Sequence, residues 1–257
     1  MTSDQLTEFS KTSLVLPVIY GDGIGPEIMT ATLKIIKKAI EATYSKSRSL
    51  ETLKVEAGQT AFNEMGDWLP EKTLTAIKAH KIALKSPLMT PVGKGQRSIN
   101  VRLRKELDLY ACIRPVSHFP NLQSPMKSNT LDIVIFRENT EGVYRGIEYE
   151  ADSDEAKILI QFLKTEFDAD IPDINNTGIG LKPMSAEGSK RIARAAIRYA
   201  LSHNRKKVSL IHKGNIMKFT EGLFREAGYD VAEEEFNTQV FTQRQFNKIK
   251  DKEGEDA

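Results

Sequence analysis

Four basic residues stand where short apolar runs of the sequence stop, and their chemistry suits a small polyanion. They are Lys85, Arg114, Arg137 and Lys213. In open α/β sheets, ligands bind beyond the carboxyl ends of the strands, so cations placed there would converge on one ligand. Each of them alone is equally consistent with a solvated strand end, but the repetition of the pattern favours an anion site.

A second group of polar residues lies on a predicted amphipathic helix. Asn100 and Arg104 are four residues apart and share one face of that helix. Ile99 and Leu103 belong to an adjoining apolar stripe that would dock it. Ser98 stands at the start, where a hydroxyl can cap the helix and exposed N–H groups favour an anion.

The loop Pro91–Arg97, which precedes this helix, contains two glycines that would let the backbone approach a ligand closely.

The arginine side chains indicate which class of ligand the site would bind. The planar guanidinium group binds a carboxylate through two parallel hydrogen bonds, and each such contact contributes roughly 1.5–3 kcal/mol. Three arginines, Arg104, Arg114 and Arg137, therefore suit a tricarboxylate better than a monoacid.

Three glycines spaced two apart, Gly21, Gly23 and Gly25, follow the apolar run that ends at Ile19. A dinucleotide-binding loop has the pattern Gly-x-Gly-x-x-Gly, and here the third glycine comes one position early. Pro26 stands where the first helical turn tolerates a missing N–H. The pattern predicts a strand, a tight turn and a helix rather than a dinucleotide fingerprint.

The composition excludes several classes of protein. With 37 basic and 35 acidic residues among 257, the formal net charge is +2, which disfavours nucleic acid or a membrane surface as the main partner. The single cysteine, Cys112, cannot form an internal disulfide and is expected to be a buried small hydrophobe. The N-terminus carries acids before its apolar run, unlike a signal peptide, and no segment has the apolar length of a membrane span. We expect a cytoplasmic protein.

Apolar runs that alternate with helical patterns predict an α/β fold with a substantially parallel sheet. The predicted strands cover residues 14–19, 81–84, 109–113, 133–136 and 208–211; the predicted helices follow Pro26 and cover residues 99–107 and 186–202. Residues 151–173 are rich in acids and are predicted to form a surface excursion. The polar residues from 243 to 257 are predicted to be a frayed end.

Five motifs in order resemble those of the β-decarboxylating dehydrogenases, the isocitrate/isopropylmalate dehydrogenase family. They are Gly21–Glu27, Pro87–Gly93, Ser98–Arg104, Phe136–Tyr144 and His212–Thr220. Over most of its length the chain looks like the bacterial-type NADP-dependent isocitrate dehydrogenases of that family. The resemblance implies an α/β, isocitrate/isopropylmalate dehydrogenase-like fold with a large α/β domain (incomplete), a small α/β domain and a clasp. In that fold the glycine turn begins the large domain, which is not a Rossmann fold.

The resemblance also implies a role for each candidate residue. Isocitrate would be held by Ser98, Asn100, Arg104, Arg114 and Arg137. Tyr144 and Lys213 would carry out the proton chemistry, with Lys213 supplied by the partner subunit of a homodimer. The implied reaction is the NADP-dependent oxidative decarboxylation of isocitrate to 2-oxoglutarate and CO2 in the tricarboxylic acid cycle. NADP would accept a hydride, and Mg²⁺ or Mn²⁺ would stabilise the developing charge.

The family's domain organisation maps onto the chain in four segments. Residues 1–109 would form the N-terminal part of the large domain, and residues 142–185 the clasp. Residues 110–141 and 186–257 would form the small, dimer-forming domain.

The chain departs from the family pattern at the expected cofactor contacts. Met89 replaces a threonine, which leaves Met89 and Thr90 as the weaker candidates for cofactor binding. The family's aspartate metal ligands and adenosine-binding segment would lie beyond Ala257, so no metal ligand is predicted in this chain. We therefore expect that the 257 residues alone do not reduce NADP at a meaningful rate.

Two alternative functions remain open at the level of sequence. One is a catalytically inactive, dimer-forming fragment of such an enzyme. The other is an isopropylmalate-type dehydrogenase, which is disfavoured because Ser98 and Asn100 suit the additional carboxylate of isocitrate.

Overall fold

A computed structural model describes residues 13–45, 47–89, 98–121 and 130–254. The chain divides into two compact units, Met1–Asp108 and Leu109–Ala257. Among the described residues, the first unit contains one parallel sheet and the second contains two antiparallel strand pairs. No helix in these ranges is both long enough and apolar enough to cross a membrane.

The sheet of the first unit has three strands in the order β2-β1-β3. Their bounds are Ser13–Ile19 for β1, Ser49–Lys54 for β2 and Leu84–Lys85 for β3. Residues 16–19 of β1 are buried because the strand lies in the middle of the sheet. The strand predicted at residues 81–84 forms only at its last residue, since Lys81 takes a left-handed conformation (φ 55°) that ends the preceding helix.

Four helices lie in the same unit as this sheet and contribute buried residues to its core. They are α1 (Gly25–Tyr44), α2 (Gln59–Met65), α3 (Glu71–His80) and α4 (Ile99–Glu106). The helix predicted after Pro26 is confirmed, and it buries Met29 and Leu33. The helix predicted at residues 99–107 is confirmed to within one residue, and Ile99 and Leu103 bury it in the main apolar cluster. Polar residues on α4 are therefore held in place by an apolar anchor.

The strands of the second unit pair antiparallel. β4 (Ala111–Ser117) pairs with β5 (Asp132–Glu138), and β6 (Ile147–Tyr149) pairs with β7 (Ile179–Leu181). The prediction of a substantially parallel sheet is therefore wrong for this unit. Parallel strands are normally covered on both faces, whereas an antiparallel pair tolerates one solvated face, and Ile133 on β5 is 51% exposed.

Four helices lie in the described part of the second unit. They are α5 (Asp154–Phe167), α6 (Ala186–Ser202), α7 (Thr220–Glu235) and α8 (Gln243–Glu253), and a 3₁₀ turn spans Gly142–Arg145. The boundaries predicted for α6 are confirmed, and the Ser185 hydroxyl caps it by accepting a hydrogen bond from the Gly188 N–H. The surface excursion at residues 151–173 contains the 14-residue α5.

The predicted frayed end is wrong, because α8 begins with a capping box at Thr242. Arg244 on α8 also bonds to three acids of α7, which are Glu226, Asp230 and Glu233. The predicted strand at residues 208–211 is not among the strands of the described second unit, and Ile211 is 86% exposed. Cys112 is only partly buried, since it lies on the exposed β4–β5 pair.

Candidate active site

The glycine turn after β1 is held by the carboxylate of Asp22, a residue that the sequence analysis did not single out. Asp22 accepts a hydrogen bond from the Gln59 N–H at 2.9 Å and another from the Met89 N–H at 2.9 Å. Gly21 has a φ of 78°, and a Cβ there would stand 2.1 Å from the Pro87 carbonyl oxygen. The turn therefore fastens two neighbouring loops, and its glycines serve this close packing.

In the first unit, Arg104 shares α4 with Asn100 and acts electrostatically on Lys85. Asn100 and Arg104 are both partly buried and lie one turn apart on α4. Partial desolvation, followed by the nearby Arg104 guanidinium, lowers the pKa of Lys85 below its ordinary value. The mutual repulsion of these two cations would be relieved by a bound anion.

Ser98 lies directly before α4, but its hydroxyl does not cap the helix as expected. The first N–H groups of α4 are therefore not satisfied by this side chain, and the hydroxyl is partly buried at the helix start. Of the two cofactor candidates, Met89 has a side chain that is 55% exposed. Thr90 lies outside the described residues.

In the second unit, Arg114 and Arg137 lie on the same face of the β4–β5 pair. Arg137 stands opposite Cys112, and Arg114 is two residues further along β4, so the pleat directs both side chains to one side. The Arg137 guanidinium donates to the Asn139 Oδ1 atom at 3.2 Å and lies 5.4 Å from the Tyr144 ring centroid. The Arg137 Nε atom is buried and has no hydrogen-bond partner within the described part of the chain.

The 3₁₀ turn that carries Tyr144 is fixed at its start by two contacts. Gly142 has a φ of 59°, and its N–H donates to the Pro183 carbonyl oxygen at 2.9 Å. The buried Glu141 carboxylate accepts from the Ser185 N–H at 2.8 Å and also from the Ser185 hydroxyl. Both contacts join the turn to the segment that leads into α6.

Lys213 is exposed, and its backbone is bound to the start of α7. The Lys213 N–H donates to the Glu221 carboxylate at 3.0 Å, and the Lys182 ammonium forms an ion pair with the same carboxylate. The hydrogen bond from Lys182, followed by the one from Lys213, lowers the pKa of Glu221 below its ordinary value.

The prediction of four cations at strand ends is correct only for Lys85, which is the last residue of a parallel strand. Arg114 lies in the middle of β4, and Arg137 is one residue before the end of β5. Lys213 follows no strand of the described second unit. Arg114 and Arg137 share a face because of antiparallel register, not because parallel strand ends meet at one edge.

The described residues contain no group of three or more His, Cys, Asp or Glu side chains that could hold a metal ion. The polar residues that the structure adds to the predicted set are Asn139, Glu141 and Glu221, which hold Arg137, the Tyr144 turn and the Lys213 backbone. Asn139 and Glu141 lie within the motif that contains Tyr144, and Glu221 directly follows the motif that contains Lys213. Their position beside these motifs is the signal by which sequence analysis can find them.

The fold places the chain among the isocitrate/isopropylmalate dehydrogenases. The sequence model of the isocitrate/isopropylmalate dehydrogenase family matches residues 15–248, and the chain belongs to that family.

Relatives within the family are isocitrate dehydrogenases that use NADP. The chain is 49% identical over 264 residues to "Isocitrate dehydrogenase [NADP]" of Staphylococcus aureus, covering 100% of this chain and 63% of that protein. It is 49% identical to the protein of the same name from Streptococcus salivarius, covering 90% of this chain and 59% of that protein. The chain thus spans less than two thirds of the length of these relatives.

Solved structures agree with the sequence relationship. The crystal structure of isocitrate dehydrogenase from Methylococcus capsulatus matches with a TM-score of 0.69 and 38% identity, covering 86% of this chain and 57% of that one. A Thermus thermophilus protein matches with a TM-score of 0.70 and 34% identity, covering 94% of this chain and 44% of that one. The α/β fold expected from the motifs is thereby confirmed as that of the isocitrate dehydrogenases.

Proposed function

We propose that this chain provides the substrate-binding residues of an NADP-dependent isocitrate dehydrogenase, which converts isocitrate to 2-oxoglutarate and CO2 in the cytoplasm. The observation that carries the proposal is the shared face of Arg114 and Arg137, with Tyr144 beside Arg137. The names of the relatives support the choice of isocitrate and NADP.

The arginines account for recognition of the substrate. Arg114 and Arg137 each present a planar fork to a carboxylate, and the buried Nε atom of Arg137 is a donor that such a carboxylate would satisfy. Asn139 holds the Arg137 guanidinium at 3.2 Å and so limits its rotation. In the first unit, Ser98, Asn100 and Arg104 on and before α4 supply the remaining contacts.

The reaction requires a base for the substrate hydroxyl proton and an acid for the enolate that decarboxylation leaves. Tyr144 and Lys213 fill these roles in the proposal, with Lys213 acting in the site of the partner subunit. NADP, when bound, accepts the hydride from the hydroxyl carbon. Met89 and Thr90 are the proposed contacts to that cofactor.

A divalent metal, Mg²⁺ or Mn²⁺, belongs to the proposal through the family alone. Mg²⁺ depends on at least one or two carboxylates, and the described residues contain no cluster of three or more metal-ligating side chains. The binding and proton-transfer roles assigned above rest on side chains of this chain.

The proposal includes a homodimer in which residues 142–185 form a clasp between subunits. β6, β7 and α5 line a shallow apolar groove of about 380 Å³, which includes Tyr149, Ile158, Phe162 and Leu181. Ile158 is 70% exposed and Phe162 is 51% exposed. Exposed apolar groups of this kind are typical of an interaction site. Residues 1–109 are assigned to the large domain, and residues 110–141 and 186–257 to the small one.

Calorimetric titration with isocitrate tests the substrate assignment. We expect Arg137→Ala to weaken binding by about tenfold or more, the factor for one charge-assisted hydrogen bond. Arg205→Ala is the matched control, because Arg205 is an arginine of the same unit whose guanidinium is bound to Asp132. Isopropylmalate serves as the competing ligand; if it binds more tightly than isocitrate, or if Arg137→Ala has no effect, the proposal is wrong.

The proposed role of Tyr144 in proton transfer is tested with the full product of the gene. The measurement is the rate of NADP reduction, monitored by absorbance. We expect Tyr144→Phe to lower turnover by about 10²-fold or more, the range for loss of a general acid or base. Isocitrate binding by the variant should remain, because the ring and its contact with Arg137 are retained. Unchanged turnover in Tyr144→Phe would contradict the assignment of Tyr144.

A further inference from the structure

Three segments of the second unit meet at one carboxylate, that of Glu221. Glu221 lies in the first turn of α7, and its side chain is 15% exposed. One oxygen accepts from the Lys213 N–H at 3.0 Å, and the other pairs with the Lys182 ammonium. Lys182 directly follows β7, so a single carboxylate ties the β6–β7 strand pair to the segment that carries Lys213.

The same lysine also approaches the turn that carries Tyr144. A Cβ built on Gly142 would lie 3.4 Å from the Lys182 Cε atom, which is ordinary van der Waals contact. The stem of Lys182 therefore passes beside Gly142 while its ammonium reaches Glu221. This chain of contacts joins the backbone of one proton-handling residue to the turn of the other.

We propose that Glu221 is a positioning residue for Lys213, and that its ion pair with Lys182 couples the β6–β7 strand pair to the placement of Lys213. The inference rests on the proposed function, in which the clasp joins two subunits and Lys213 acts in the partner's site. Lys213 is exposed and must lose conformational freedom when its ammonium meets the substrate. Because the hydrogen bond to Glu221 already fixes the Lys213 backbone, less of that freedom remains to be lost on binding. Glu221 itself touches neither substrate nor cofactor in this proposal.

Amide hydrogen exchange tests the anchor without any need for activity. We expect Glu221→Ala to speed exchange at the Lys213 amide by about tenfold or more, the factor for losing one hydrogen bond to a charged group. Glu187→Ala is the matched control, because Glu187 is also a glutamate in the first turn of a helix, α6, and is 79% exposed. Equal exchange at Lys213 in the wild type and in Glu221→Ala would overturn the inference.

Kinetics of the full product of the gene distinguish positioning from mere support of the fold. We expect Glu221→Ala to lower kcat by about tenfold, with a KM for isocitrate within about twofold, since the substrate arginines are untouched. Glu221→Gln should recover part of the loss, because an amide oxygen still accepts from the Lys213 N–H while the ion pair with Lys182 is lost. If Glu221→Gln is as impaired as Glu221→Ala, or if KM rather than kcat changes, the positioning role is wrong.

Mixed dimers separate this inference from the proposed function. Lys213→Ala subunits mixed with Tyr144→Phe subunits should regain activity, because one site of the mixed dimer then has both residues. We expect Glu221→Ala mixed with Tyr144→Phe to regain activity as well, since the defect travels with Lys213 to the partner's site. Recovery in the first mixture alone overturns the role of Glu221 and leaves the proposed function standing. Recovery in neither shows that Lys213 is not shared between subunits, which overturns the coupling to the clasp.

Discussion

The two units of the chain hold their functional residues by different forces. In the first unit, α4 is docked by Ile99 and Leu103, which are 1% and 8% exposed and belong to the main apolar cluster. In the second unit, Ile133 and Ile135 of β5 are 51% and 47% exposed, and polar contacts fix the site residues. The comparison indicates that the α4 residues depend on burial of apolar surface, whereas the residues around Arg137 depend on hydrogen bonds and ion pairs.

Replacing one isoleucine in each unit by alanine tests this difference between the units. We expect Ile99→Ala to destabilise the first unit by about 2–5 kcal/mol, because it leaves a cavity in a packed core. Ile133→Ala is the matched change on the exposed strand, and it should cost less than about 0.5 kcal/mol. Denaturant unfolding measures both values, and similar losses in the two variants would refute the contrast.

Asp22 is an exception in the first unit, because its carboxylate stabilises a turn through hydrogen bonds in a unit that otherwise depends on apolar packing. We expect Asp22→Ala to cost about 2–3 kcal/mol, since two backbone N–H groups, those of Gln59 and Met89, lose their acceptor. Glu27→Ala is the control, as Glu27 is an exposed acid just after the same turn. A loss no greater than that of the control would show that solvent replaces the carboxylate.

Acid should weaken the second unit before the first. Hydrogen bonds from Lys182, Arg244 and Arg194 lower the pKa values of Glu221, Glu233 and Glu235, respectively, below their ordinary value of 4.5. A carboxyl whose pKa is lower in the folded state stabilises it above the unfolded pKa, and this contribution is lost as the pH falls through the folded value. The second unit should therefore lose stability as the pH falls below about 4.5.

The effect of acid should be smaller than those of the two substitutions, because these carboxylates are partly solvated and screened. Amide hydrogen exchange at neutral pH and below pH 4.5 measures it separately for the two units. Arg244→Met should reduce the acid sensitivity of α7 and α8, since Arg244 is the main partner of Glu233. Equal acid sensitivity in the two units would contradict the prediction.

Local signals in the sequence predicted some elements closely and missed others. The helix at residues 186–202 was predictable because its periodicity and its Ser185 cap are both local. The helix at Gln243–Glu253 has a capping box that is visible in the sequence, but few of its residues are apolar and none is buried. Its position depends on Arg244, which bonds to acids 11 to 18 residues away on α7.

Residue types and the order of the motifs were sufficient to predict the family of the chain and to select the candidate site residues. The motifs contain the candidates Arg104, Arg137, Tyr144 and Lys213, and Arg114 was found at the end of an apolar run. Residue types, spacing along one helix and capping are properties of short segments, and a linear reading contains all of them.

The contacts that position these candidate residues depend on the tertiary structure and could not be predicted from the sequence. The shared face of Arg114 and Arg137 follows from the antiparallel register of β4 and β5. The roles of Asp22 and Glu221 follow from hydrogen bonds that span 67 residues to Met89 and 39 residues to Lys182. Such contacts form only when distant segments pack side by side, because a hydrogen bond requires its two atoms to lie within about 3 Å of each other wherever they stand in the chain.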